Sequence, residues 1–553
     1  MPSLAALLRA LPCLLLLATS ALAQSPLSHL DDAAPVPSGA LRLRIANVWT
    51  RYDERFGPNG KAVPLGDPLS ADSLGSAQLP LLAPIEASLR AAAVDPTLRL
   101  SLGQLRVGSN ARIATTPIAL EYGVTRRLSV GVLIPIVQTR RVAMATVTGD
   151  KAHANLGYVS AANQKTAAER NAAVAAAYRK AADSLGALLT NCPGNPGASG
   201  CAAVNANPAA AATARTRALV FADAATQLGT TAGTAVVAPR ATSALADTLE
   251  VRRAQLNQLL QQYLGVTVGF APPVFFAPTD FSYIDLNGRT GVPALLGSAL
   301  AGGLDSIHTT ERIGFGDIAV GAQLLVFDRF QHDAAPPPRV QSRLAVGASV
   351  RFATSLRDSA QSLVDISTGD GAGFDIHSAW DVIVGHFGAT TAVRYSKSFA
   401  RTVTAPLFGD PEAPYPFPAF GNRSRTAGDV IGLDLTPRLL LTDWLALDGH
   451  YGFERVGATT YGAPELSGTP CANCRTVATT PEVVTVVGTA RTAQRVGVGL
   501  RYSTVDSYAR GQARYPVEIS YAHLATAAGD EGLPHQSRDQ IQMRLYYQIR
   551  RPR

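Results

Sequence analysis

Two stretches of this chain place carboxylates beside an imidazole on one face of an extended backbone. In 371–384, Asp375, His377 and Asp381 fall on one side, opposite Phe374, Ile376, Trp380 and Val382. In 443–459, Asp448, His450 and Glu454 repeat the arrangement. A carboxylate–imidazole pair can serve as a general base, or as a charged filter in a lumen. It can also simply pair with arginines across a barrel interior, where Arg343, Arg351, Arg394, Arg438, Arg495, Arg501, Arg514 and Arg544 stand as partners. The adjacent His377-Ser378 suggests a hydrolase. Neighbouring residues of a strand point to opposite faces, however, so His377 cannot activate Ser378 directly. No GxSxG, HExxH, Walker A or helix-opening GxGxxG occurs. No catalytic residue, cofactor or metal site is therefore assigned. Asp317, Arg343, Arg351, Asp375, His377, Asp381, Arg394, Asp434, Arg438, Asp448, His450, Glu454, Arg495, Arg501, Glu518 and Arg544 are read instead as candidate lumen-lining residues.

The elements that must position them show strict alternation. Ile541, Met543, Leu545 and Tyr547 oppose Gln540, Gln542, Arg544 and Tyr546. Val496, Val498, Leu500 and Tyr502 oppose Arg495, Gly497, Gly499 and Arg501. Leu344, Val346, Ala348, Val350 and Phe352 oppose Arg343, Ala345, Gly347, Ser349 and Arg351. A soluble sandwich also alternates, but here the polar face carries full charges of both signs and many glycines. Tight turns at 123–127, 384–387 and 442–444 alternate with long loops near 355–370, 402–425, 460–489 and 526–536, which is the transmembrane β-barrel rhythm. The fold class expected is an all-β transmembrane barrel of about twelve antiparallel strands, with fourteen as the alternative. Those strands are 41–55, 98–123, 127–142, 312–328, 338–354, 371–384, 387–400, 425–441, 443–459, 490–506, 513–525 and 537–550. Trp49, Tyr122, Phe327, Trp380, Phe399, Trp444, Tyr521 and Tyr547 are candidates for interface girdles.

Composition agrees. The 553 residues are 47% hydrophobic and only 16% charged, against about 25% in ordinary soluble domains. The net charge of +8 includes only five lysines, and the basic residues are dispersed, so no nucleic-acid stripe is expected. Residues 1–23 combine Arg9, an apolar run and Ala21-Leu22-Ala23, the order of a secretory signal peptide. Residues 24–40 then form an N-terminal periplasmic segment, 41–143 the first barrel strands and 306–553 the remaining ones. Four cysteines remain: Cys192 with Cys201, and Cys471 with Cys474. Local pairs in an exported chain fit two disulfides, with a shared metal site or free thiols as the alternatives.

Between the early and late strands lies 144–305, Ala-rich and without strand alternation. Helices are expected at 164–189, 245–264 and 209–227, with a further short helix near 85–93 in the 56–97 segment. Turn parity places this insertion on the extracellular side.

The segment LEYGVTRRLSVGVLIPIV (120–137) resembles the "leYGlTdrlelgvsvPyv" hairpin of the outer-membrane channel-like proteins of phenol-degradation (MetA-pathway) clusters. IGFGDIAVGAQLLVF (313–327) resembles their "GxGDhxhGxKy" strand. The wider similarity is to outer-membrane transporters of the long-chain fatty acid type. Tyr122-Gly123-Val124-Thr125 match the hairpin, and Gly314-Phe315-Gly316-Asp317 with Gly321 match the strand. Gln323 stands where that family usually has Lys, and the C-terminal strand lacks a final Phe. The resemblance implies a passive outer-membrane channel or transporter for small molecules, hydrophobic ones included. The alternative is a non-conducting barrel that presents 144–305 for adhesion or partner binding. Outer-membrane lipid and lipopolysaccharide are the expected partners.

Overall fold

The structure, a computed structural model, describes residues 33–79, 82–150, 152–230, 236–265, 274–288, 295–297, 305–330, 339–357, 362, 366, 368–406, 420–462, 486–487 and 490–548. The expected signal peptide and Cys471–Cys474 lie outside these residues.

The alternating stretches form strands that pair only with antiparallel neighbours. In chain order they are β1 (Ala40–Phe56), β2 (Gln104–Gly123), β3 (Leu128–Thr148), β4 (two segments, Thr310–Phe315 and Ile318–Asp328), β5 (Val340–Phe352), β6 (Gly373–Val384), β7 (Phe387–Ser398), β8 (Val430–Leu440), β9 (Leu445–Val456), β10 (Arg491–Ser503), β11 (Val517–Gly529) and β12 (Pro534–Gln548). The sheet has 14 segments. Ala62–Pro64 only folds back antiparallel on the last residues of β1 and β4 contributes two segments, so the wall is twelve-stranded. β1 bonds to β2 on one side and to β12 on the other, which closes the cylinder and leaves no open edge, the condition for a spanning sheet.

In a closed single-layer wall, a strand side chain can be buried only by pointing inward. The burial pattern therefore gives the orientation. Every wall strand carries an exposed large apolar residue on its outer face, from Trp49, Leu120, Val130, Val320, Val346 and Ile376 to Val393, Ile431, Leu447, Val498, Ile519 and Ile541. The buried face carries Arg42, Arg44, Glu121, Gln323, Arg351, His377, Asp381, Asp448, Glu454 and Arg544. That is apolar-out and ionic-in, the inverse of a soluble sandwich.

The two ends differ. Hairpins at 124–127, 385–386 and 441–444 define a turn end. Its other connections are longer: 329–339, and 504–516 with a short helix at Val505–Ala509. Arg514, expected to point inward, lies in this last connection and is exposed. At the opposite, loop end, two expectations are corrected. Both ends of the expected 402–425 loop are strand, Arg401–Pro406 paired with Phe420–Thr426. Residues 526–536 are not a long loop, because β11 runs to Gly529 and β12 begins at Pro534. The small side chains of 525–529 hide the alternation there, while the ladder continues with a register shift at Gln494/Arg495.

β2 and β3, 20 and 21 residues long, outgrow their neighbours. β1 follows β2 only to Ala111 and β4 follows β3 only to Arg141, so 104–110 and 142–148 rise beyond the wall as a two-stranded arm. A helical domain built from two separate excursions packs on this arm. Residues 57–103 supply the helix Ala83–Ala93. The later insertion supplies Ala161–Asn191, Cys201–Ala206, Pro208–Thr230 and Ala244–Leu264. Leu82, Ile85 and Leu89 from the first share one core with Tyr178, Leu185, Leu228 and Leu260 from the second, and with Leu105, Val107 and Ala143 of the arm. Alanine-rich helices approach closely because they carry so little side chain: Ala211, Ala214, Ala218 and Ala222 are fully buried. Cys192 and Cys201 form a disulfide there.

Residues 33–37 lie against the inner face of the wall. Ala33 is fully buried against Ala345 and Ala379, which lie on the inward faces of β5 and β6. The Val36 amide donates to Ser129 Oγ at 3.2 Å, and Arg42 Nη1 donates to the Ala34 carbonyl at 3.1 Å. Ser38 bridges Gly123. The chain therefore crosses the turn-end mouth inside the barrel before entering β1. Small side chains make this possible, since two alanines on the wall leave room for a third.

Candidate functional site

Inward side chains from neighbouring strands form several runs of ion pairs that together make an ionic belt. Asp448 on β9 accepts from Arg438 Nε on β8 at 2.8 Å and from Arg501 Nε on β10 at 3.2 Å. Arg501 also pairs with Glu518 on β11 at 3.4 Å, and Glu518 pairs with Arg544 on β12 at 3.2 Å. Nearer the loop end, Glu454 stands between Arg495 at 3.3 Å and Arg394 at 3.8 Å, and Arg394 reaches Asp434 at 3.5 Å. Arg343 on β5 bonds Asp381 on β6 at 2.8 Å, and Asp381 accepts from Thr390 Oγ1 on β7 at 2.7 Å. Arg351 pairs with Asp375 at 3.1 Å and donates to Ser396 and Ser398 at 3.0 and 3.2 Å. Arg42 bonds Glu121 across β1 and β2 at 2.6 Å. Such pairs hold the geometry more than they add stability, because desolvating both partners offsets most of their attraction.

The glycines of the polar face have a spatial role. A Cβ on Gly347 would overlap the His377 ring, which lies directly across the strand pair. One on Gly499 would come within 2.8 Å of His450 Nε2, and one on Gly432 within 2.9 Å of Arg394 Nε. Each glycine thus seats the large polar side chain of a neighbour. Gly347→Ala should displace His377 and cost about 1–3 kcal/mol, the usual range for overpacking. Adding His377→Ala should restore part of the loss, because the new Cβ still meets the Ala322 carbonyl oxygen at 2.9 Å, as read by the temperature at which the folded band disappears on an unheated gel.

A cavity of about 190 Å³ lies against the β6–β12 side of the wall. Its lining includes five arginines (Arg394, Arg495, Arg501, Arg538, Arg544), two histidines (His377, His450) and two acids (Asp434, Asp448). Thr436 Oγ1 lies 3.3 Å from His450 Nδ1.

In both predicted carboxylate–imidazole constellations the acids are taken up by arginines. Asp375, Asp381, Asp448 and Glu454 are all engaged by guanidinium groups, and His377 and His450 sit between them on the same faces. Among the described residues no group of His, Cys, Asp and Glu is arranged to hold a metal. Asp317 stands apart from the belt. It occupies the break between the two segments of β4, where its carboxylate accepts from the Gly371 amide at 2.7 Å and the Ser355 amide at 3.2 Å. It ties the 353–372 connection to the wall; Gly371, at φ +95°, takes a backbone conformation suited to glycine. Arg42, Arg44, Glu121, Arg538, Gln540 and Gln542 complete the interior and were absent from the sequence-based set. Arg42 and Arg44 were legible, alternating with Leu41, Leu43 and Ile45.

No protein-family model matches the sequence, and none of the curated proteins matches it. Similar solved structures include an outer-membrane channel from Pseudomonas putida F1 (9% identity, 94% of this chain and 99% of that chain, TM-score 0.39). The translocator domain of the autotransporter NalP from Neisseria meningitidis is another (7% identity, 92% and 88%, TM-score 0.26). A third is the P. putida toluene transporter TodX (10% identity, 92% and 90%, TM-score 0.24). The assignment of fold rests on the strand pairing itself: this chain is a closed, twelve-stranded antiparallel β-barrel of the outer-membrane type, with a helical domain at its loop end and no helix long and apolar enough to cross a membrane among the described residues.

Proposed function

We propose that the protein is a passive channel for small solutes in the bacterial outer membrane. The observation that carries this reading is the combination of an apolar outer face on all twelve strands with an ionic interior that contains a cavity. An apolar band of that extent in water would be an aggregation surface; in a bilayer it is the ordinary lipid contact. The lining supports polar permeants over hydrophobic ones. The five arginines face Asp434 and Asp448 in the lining, with Glu454 and Glu518 paired behind them; the remaining positive excess favours anions, because a low-dielectric wall concentrates the field of its charges.

Purified full-length protein inserted into planar bilayers under a KCl gradient should give discrete conductance steps with a reversal potential displaced toward that of chloride. An absence of steps at all voltages would remove the channel reading, and a cation-selective channel would remove the anion preference alone. A second reading is favoured by the helical domain's own core and disulfide: a non-conducting barrel that presents these helices to a partner. Silent bilayers together with a partner lost on deletion of 149–305 would support that reading instead.

A further inference from the structure

On the outer face of the wall, three arginines stand side by side. Arg51 of β1 is directly opposite Arg112 of β2, and Arg112 is directly opposite Arg140 of β3. All three are exposed. Directly paired strand positions hold their Cβ atoms about 5 Å apart, where like charges repel, so the row, about 10 Å long, is unfavourable without counter-charge.

Of the neighbouring acids, Asp539 gives Arg51 a partial counter-charge, and the others are engaged elsewhere or stand at the margin. Glu311, opposite Arg140 at the end of the row, accepts from Gln138 Nε2 at 2.8 Å. Asp539, opposite Trp49, accepts from Tyr521 Oη and faces His523 Nδ1, each at 2.9 Å. Asp53 lies two residues beyond Arg51 and is exposed.

The position of the row is informative. Toward the barrel middle, the same outer faces carry Trp49, Ile136 and Ile313, exposed by 37, 39 and 65%. Toward the loop end, the wall gives way to the two-stranded arm. The row therefore lies at the upper edge of the apolar band, on the side where the long connections emerge. That is where lipid headgroups begin when the band is filled by acyl chains.

The geometry points to a binding site for the phosphate groups of outer-leaflet glycolipid, lipopolysaccharide, with Arg51, Arg112 and Arg140 as its ligands. Guanidinium forks match phosphate oxygens in bidentate fashion, and acyl chains anchored by those phosphates would lie along Trp49 and Ile136. This inference rests on the outer-membrane reading but not on conduction. A barrel that binds the glycolipid and passes no current would keep this site and lose the channel.

The test uses full-length protein in a neutral detergent with purified lipopolysaccharide. Arg51→Gln/Arg112→Gln/Arg140→Gln should weaken binding roughly a hundredfold, from about fivefold per arginine at an anionic lipid surface. Arg112→Gln alone, at the centre of the row, should weaken it several-fold and covers the case in which the triple variant does not fold. Arg126→Gln/Arg127→Gln, two exposed arginines at the turn end, should bind as the unaltered protein does. Enzymatically dephosphorylated glycolipid should bind the triple variant and the unaltered protein equally weakly. Unchanged lipopolysaccharide affinity in the triple variant would overturn the site, as would equal affinity for the dephosphorylated form. Complete displacement of the glycolipid by inorganic phosphate would reduce the row to a free-anion site and overturn the lipid assignment.

Discussion

Asp448→Ala should be among the most damaging single substitutions in the barrel, lowering stability by about 3–5 kcal/mol, the range for removing one partner of a buried ion pair. The side chain of Asp448 is 3% exposed and is held by both Arg438 and Arg501. Removing it leaves two guanidinium groups facing each other with no carboxylate between them. The chain of pairs onward through Glu518 to Arg544 would then lose its anchor on β9. Asp448→Asn keeps the shape and an acceptor oxygen but not the charge, and should be damaging to a smaller degree. Pairing Asp448→Ala with Arg438→Gln should recover part of the loss. Thermal unfolding in detergent, followed by the shift between folded and unfolded gel bands, reads all three. A mutant as stable as the unaltered barrel would mean that solvent in the lumen, rather than the belt, balances these arginines.

Deleting residues 24–37 should raise single-channel conductance several-fold while leaving the barrel folded. The deletion ends before β1, so the closing pairs of β1 with β2 and β12 remain. What disappears is the crossing of the turn-end mouth, where Ala33 packs on Ala345 and Ala379 and Val36 is tied to Ser129. Arg42 loses the Ala34 carbonyl but keeps Glu121, and the Val36–Ser129 and Ala40–Pro37 bonds go with the segment, so the expected loss of stability is that of three hydrogen bonds, one of them to a charged group, about 3–6 kcal/mol. Conductance steps of unchanged size would place the ion path away from this segment. Steps that grow together with a loss of anion preference would show that the segment also screens the arginines of the cavity.

Much of this was written in the chain at short range. Alternation is a local property: Val496 to Tyr502 or Gln540 to Tyr547 show their two faces without reference to any other strand, because successive side chains of an extended backbone must point oppositely. Twelve such stretches and Ala-rich helices at near-observed positions follow from residue type and spacing alone. The correction is also local in origin: Ala525–Gly529 carry no alternation to read, so a strand looks like a loop.

Only the tertiary structure decided which residues meet. The register that sets Arg343 against Asp381, or that puts three arginines in one row on the outer face, depends on how the strands are staggered around a closed cylinder, and a shift of one residue would reverse every face. Closure of β1 onto β12 joins residues some five hundred positions apart. The passage of Ala33 through the lumen and the fusion of 57–103 with the later insertion into one core are likewise contacts between segments whose sequences carry no mark of each other. Their free energy comes from burial shared across the fold, which no window along the chain contains.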